Sequence, residues 1–197
     1  MRFYLLGLAI IGLAVVTALT PLAAQETTSK PTARAGAASA TELPLIDLSG
    51  YNKILAKYHG KPLLVTFWAT WCEPCRDEFP TLVQLSKEYA PKGLAVFGVS
   101  LDDNADMNLV RHFLAEYRPP FPSYRQDPQI DVDAFYHGVN PNWQGAMPET
   151  IFYNRDGHIA QDFTAEQTRA IFEQAIRGIL GSKASSQMQD SRPLIGN

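Results

Sequence analysis

The sequence predicts an α/β fold with a mixed central sheet flanked by helices. Three observations carry this. Residues 62–69 and 94–101 are apolar almost throughout, as strands covered on both faces are. A helical pattern over 76–89 lies between them, which makes a right-handed parallel strand–helix–strand unit. Further on, 149–153 and 158–163 flank Asn154-Arg155-Asp156-Gly157 and read as an antiparallel hairpin, so the sheet contains both kinds of pairing.

Taken in order, Ser49 is placed to cap a short helix through Tyr58, ahead of the strand 62–69. The helix 76–89 turns Phe79, Leu82 and Val83 inward, and Pro80 inside it should kink it. After the strand 94–101, residues 105–117 are helical, with Val110, Phe113, Leu114 and Tyr117 as the buried stripe. Pro119-Pro120-Phe121-Pro122 ends that helix. A short strand over 123–125, a short helix over 130–136 and an irregular loop over 137–147 lead to the hairpin. The closing helix, 165–180, buries Ile171, Phe172, Ala175, Ile176 and Ile179.

The termini lie outside this unit. Arg2 precedes a nearly unbroken apolar run, 3–19, and small residues follow at Ala23-Ala24. Residues 1–24 read as a secretory signal peptide or, if uncleaved, as a membrane anchor with Arg2 on the cytoplasmic side. Residues 25–42 have the composition of a flexible linker and 182–197 that of a disordered tail, leaving 43–181 as the folded domain. Either reading of the N-terminus places that domain outside the cytoplasm. The formal charge of −3 over 197 residues is unclustered, with no basic stripe of the kind that binds nucleic acid.

The chain has two cysteines, in Trp71-Cys72-Glu73-Pro74-Cys75, where the first strand hands over to its helix. The partial positive charge and free N–H groups of a helix start favour a thiolate at Cys72. The thiolate is the form that attacks a disulfide. At a pKa near ~8.5 a few per cent would be ionised at neutral pH; near ~7, about half. There is no second CxxC, and His59, His112, His137 and His158 are widely spaced, so the pattern gives no zinc site. Arg76 follows Cys75 where haem attachment needs His. An inert disulfide closing so short a loop would add little stability. The spacing therefore points to redox work, with Cys72 as exposed nucleophile and Cys75, one turn on, as the buried resolving thiol.

Phe67-Trp68-Ala69-Thr70-Trp71-Cys72-Glu73-Pro74-Cys75 with Glu78-Phe79-Pro80, and later Met147-Pro148-Glu149-Thr150 with Asp156-Gly157, resemble the TlpA/ResA-like thiol–disulfide oxidoreductases of the thioredoxin superfamily. The resemblance covers about 43–181. It implies a thioredoxin-like fold, with 101–147 carrying a central insertion of the family's kind. It also implies an extracytoplasmic reductase of exported disulfide clients, cytochrome c maturation among its settings, recharged by a membrane thiol transporter and using no cofactor. On the same ground Pro148 is expected cis, facing the dithiol, with the Met147 backbone open to a client chain. Pro74 belongs to the same client surface, and Trp71 and Trp143 either flank it or serve as packing.

Two departures from the family pattern bear on mechanism. Thr66 stands where plain thioredoxins carry a buried Asp, so the resemblance implies that Glu73, the nearest acid in sequence, takes the carboxylate's proton-accepting role. Its charge would also oppose the Cys72 thiolate and raise its pKa; the alternative is a favourable first-turn acid. The run Asn140-Pro141-Asn142-Trp143-Gln144-Gly145 is longer than usual. Two other functions remain on this fold. A peroxiredoxin-type peroxidase would place Thr three residues before its cysteine, where this chain has Ala69; the other is a non-catalytic client- or metal-binding module, whose copper-handling examples on this fold use a wider cysteine spacing with a distant His.

Overall fold

A computed structural model describes residues 43–182. Among the described residues β1 (Leu45–Ile46), β2 (Leu63–Trp68), β3 (Ala95–Ser100), β4 (Ser123–Gln126), β5 (Glu149–Tyr153) and β6 (Ile159–Phe163) form one sheet in the order β1-β4-β3-β2-β5-β6. Its middle is β2 (Leu63–Trp68), parallel to β3 (Ala95–Ser100) and antiparallel to β5 (Glu149–Tyr153). β4 (Ser123–Gln126) adds parallel to β3, and β1 (Leu45–Ile46) parallel to β4. β6 (Ile159–Phe163) closes the other edge as the hairpin partner of β5. The sheet is mixed, as the apolar runs and the hairpin require.

Period-two alternation along β2 sorts the core into two layers. Leu64 and Trp68 face one side, with Phe79, Leu82, Val110, Phe113, Phe172 and Ile176. These come from α2 (Glu73–Tyr89), α3 (Met107–Tyr117) and α5 (Arg169–Gly181). Leu63, Val65 and Phe67 face the other side, against Tyr51 and Ile54 of α1 (Leu48–Lys57) and Phe135 and Val139 of α4 (Val132–Val139). Burial on both faces is why β2 is apolar at every position but Thr66.

Several boundaries differ from the sequence reading. Asp47, not Ser49, caps α1, its carboxylate accepting from the Gly50 N–H at 2.6 Å. α2 begins at Glu73, so Cys72 is itself the N-cap, and the helix runs through Pro80. α4 runs on through Val139, past the predicted end at 136. α5 starts at Arg169 instead of 165, and Ile171 is 38% exposed. β1 was not predicted at all. The N-terminal signal or anchor, the linker and the C-terminal tail lie outside the described residues. Among the described residues no helix is long and apolar enough to cross a membrane.

Candidate active site

The strand β2 ends at Trp68 and α2 begins five residues later. Between them the chain makes a tight turn, closed by the Cys72 N–H donating to the Ala69 carbonyl at 3.2 Å. Cys72 then caps the helix, its sulfur accepting from the Cys75 N–H at 3.3 Å. Pro74 sits in the first helical turn, where a missing N–H costs nothing. Cys72 and Cys75 are joined in a disulfide. The site is thus seen oxidised.

Cys72 retains 6% exposure and Cys75 1%, so the residue expected to be exposed is only the more accessible of two buried ones. Both belong to the apolar cluster under α2, against which Met147 packs. Trp71, beside the disulfide in sequence, is 60% exposed, whereas Pro148 is buried. The Met147–Pro148 peptide is cis.

Trp143 does not reach this surface. Its indole lies in the opposite layer, 4.6 Å from the Phe67 ring and 4.4 Å from Tyr136. Its Nε1–H donates to the Ala146 carbonyl at 2.7 Å and so folds the loop back on itself. Gly145, at φ +83°, passes so near the Tyr136 ring that a Cβ would lie 2.6 Å from it. The unusual loop run is therefore core-forming on the side away from α2.

The acids divide clearly. Glu73, expected to be the carboxylate acting on the thiolate, is exposed. The buried acid of α2 is Glu78, at 3% exposure. It stands one turn beyond Cys75 on the same inward stripe of α2. Its carboxylate faces the Thr150 hydroxyl at 3.4 Å and the Gln167 N–H at 3.3 Å, and Thr150 in turn meets the Thr66 hydroxyl at 3.5 Å. Burial pushes its pKa up to about 8, against the pull of its hydrogen bonds to Gln167 and Thr150. The sequence reading quoted Glu78 only as part of a motif. The signal was present, since Cys75, Glu78, Phe79 and Leu82 share one helical face.

A second buried acid, Glu149, follows Pro148 directly and is fully buried. It accepts from Asn140 Nδ2 at 3.1 Å and from the Thr164 hydroxyl at 2.7 Å. Burial raises its pKa as well. It ties the cis peptide to the start of the loop and to the residue just after β6. Among the described residues no group of three or more His, Cys, Asp or Glu could hold a metal ion.

The chain as a whole is similar to known proteins. Residues 36–162 match the AhpC/TSA family. The chain belongs to that family. Within it, the chain is 30% identical over 133 residues to the thiol-disulfide oxidoreductase ResA of Bacillus thuringiensis subsp. konkukian, spanning 68% of this chain and 72% of the relative. To ResA of Geobacillus kaustophilus it is 27% identical over 151 residues, spanning 77% and 82%. Among solved structures it resembles a Chlorobium tepidum protein assigned as thiol:disulfide interchange protein DsbE. The TM-score is 0.54 at 28% identity, over 64% of this chain and 85% of that one. A thioredoxin family protein of the same organism gives a TM-score of 0.56 at 24% identity, over 64% and 84%, and supports the fold alone. This AhpC/TSA family member is a ResA-like thiol–disulfide oxidoreductase on a thioredoxin-like fold.

Proposed function

We propose that the protein works outside the cytoplasm as a reductase of disulfides in exported proteins, with Cys72 as nucleophile and Cys75 as resolving thiol. The observation that carries this is the disulfide at the start of α2, with Cys72 both the helix cap and the more accessible cysteine. In the reduced protein the Cys72 thiolate attacks one sulfur of a client disulfide. A mixed disulfide forms and a client thiolate leaves. Cys75 then attacks Cys72, the second client thiolate leaves, and two electrons have passed from the dithiol to the client.

Cys75 must lose its proton in the second step. Glu78, on the same buried face with a pKa close to that of a thiol, is suited to take it and to return it when the disulfide is reduced again. Trp71, Pro74, Met147 and the peptide at Pro148 supply the client surface, with backbone pairing to an extended segment. A membrane thiol transporter restores the electrons. The export reading rests on the N-terminal apolar run and its small-residue exit.

The test is a trap. A Cys75→Ala variant, expressed at full length, should accumulate mixed disulfides through Cys72 with exported proteins. Their identity names the clients, and apocytochromes among them would place the protein in cytochrome c maturation. No adducts, together with rapid consumption of peroxide by the wild type, would favour the peroxidase reading instead.

A further inference from the structure

The ends of β2 and β3 are joined by a polar cluster that the exchange steps above do not use. The strands pair Trp68 with Ser100, so two residues later Thr70 faces Asp102. Asp102 is 2% exposed. Its Oδ1 accepts from the Thr70 N–H at 2.9 Å and from the Thr70 hydroxyl at 2.5 Å. Its Oδ2 accepts from the Ser100 hydroxyl at 2.7 Å. From β4 Arg125, also buried, donates to the Asp102 carbonyl at 3.3 Å and to Asn104 Oδ1 at 2.7 Å. At the next peptide, Arg76 of α2 donates to the Thr70 carbonyl at 2.8 Å.

Thr70 is thus gripped at its N–H, hydroxyl and carbonyl, and it is the second residue of the turn that ends in Cys72. We propose that Asp102 is a positioning residue for the dithiol: through Thr70 it fixes the turn so that the Cys72 sulfur lies in line with the Cys75 N–H. A hydrogen bond to the charged form is one of the things that lowers a pKa. Holding the sulfur on that N–H therefore favours the thiolate that performs the attack. The carboxylate acts by grip and not by its charge, since a negative charge nearby would oppose the thiolate.

The inference rests on the dithiol exchange proposed above. In the full-length reduced protein, Asp102→Ala should raise the Cys72 pKa by about 0.5–1, read as thiolate absorbance against pH. The thiolate fraction at neutral pH then falls about three- to tenfold. The rate constant with a small aromatic disulfide should fall by less, about two- to fourfold, because the more basic thiolate is intrinsically the better nucleophile, with cooperative unfolding retained. Asp102→Asn should recover most of the loss. Its amide oxygen can still accept from Thr70 and its NH2 can donate to Ser100. Thr70→Val, which removes only the hydroxyl donor, should move the pKa in the same direction by less, and it decides the matter if Asp102→Ala fails to fold. A wild-type pKa and rate in Asp102→Ala, or in Thr70→Val where that variant decides, overturns the inference. A wild type that does not exchange with the small disulfide overturns the exchange reading itself.

Discussion

Replacing Glu78 by Gln should stabilise the oxidised protein, and by an amount that depends on pH. The folded-state pKa of about 8 stands against 4.5 for an ordinary Glu. Between those values the unfolded chain releases its proton while the folded protein holds it. The folded state binds more protons there, so stability falls as pH rises. It is fully present below 4.5 and lost progressively up to about 8. At about 1.4 kcal/mol per pH unit the loss is about 3 kcal/mol at pH 7 and at most about 5 kcal/mol at pH 8 and above. Gln carries no such loss. Its amide oxygen can accept from the Gln167 N–H and its NH2 can donate to Thr150, which keeps both partners satisfied. Urea unfolding of both proteins at pH 4.5, 6, 7 and 8 is the assay. The two should match near pH 4.5, with Glu78→Gln ahead by roughly 2–3 kcal/mol at pH 7. Glu149 also titrates upward in both, so the difference between them isolates Glu78. Parallel stability curves from pH 5 to 8 would show that Glu78 carries no raised pKa, and the proton-transfer role given to it would fall.

Glu73→Gln should lower the Cys72 pKa by about one unit or less, because solvent at the exposed helix start screens the carboxylate. The couple should become more oxidising in a glutathione titration; an unchanged or higher pKa would leave Glu73 a favourable first-turn acid only. Reporter fusions after residue 42 should be active only as extracytoplasmic reporters, and activity confined to a cytoplasmic reporter would refute export. The mass of the mature protein separates cleavage near Ala24 from a retained anchor.

What could be read from the sequence follows the range of the interaction. β2 and β3 announced themselves because double burial makes a strand apolar at nearly every position. The hairpin did so because its turn residues are local. β1 could not, since two residues show no period and its partner, β4, lies about eighty residues on. The start of α5 moved for a similar reason. Residues just before it are occupied elsewhere, the Gln167 N–H with Glu78 and the Thr164 hydroxyl with Glu149.

The same distinction separates the cysteines from the acids that serve them. CxxC at a strand–helix junction carries its chemistry in five consecutive residues. Glu78 and Asp102 carry theirs only after the chain has folded around them. Glu78 becomes a high-pKa acid because β5 and the segment before α5 cover it, with Thr150 and Gln167 as its partners. Asp102, beside a second acid at Asp103, reads along the chain as an ordinary polar turn. It becomes a clamp because parallel pairing of β2 with β3 sets it opposite Thr70. In this protein the cysteine pair is local information, whereas the groups proposed to hold it and to manage its protons are products of sheet register and helix face.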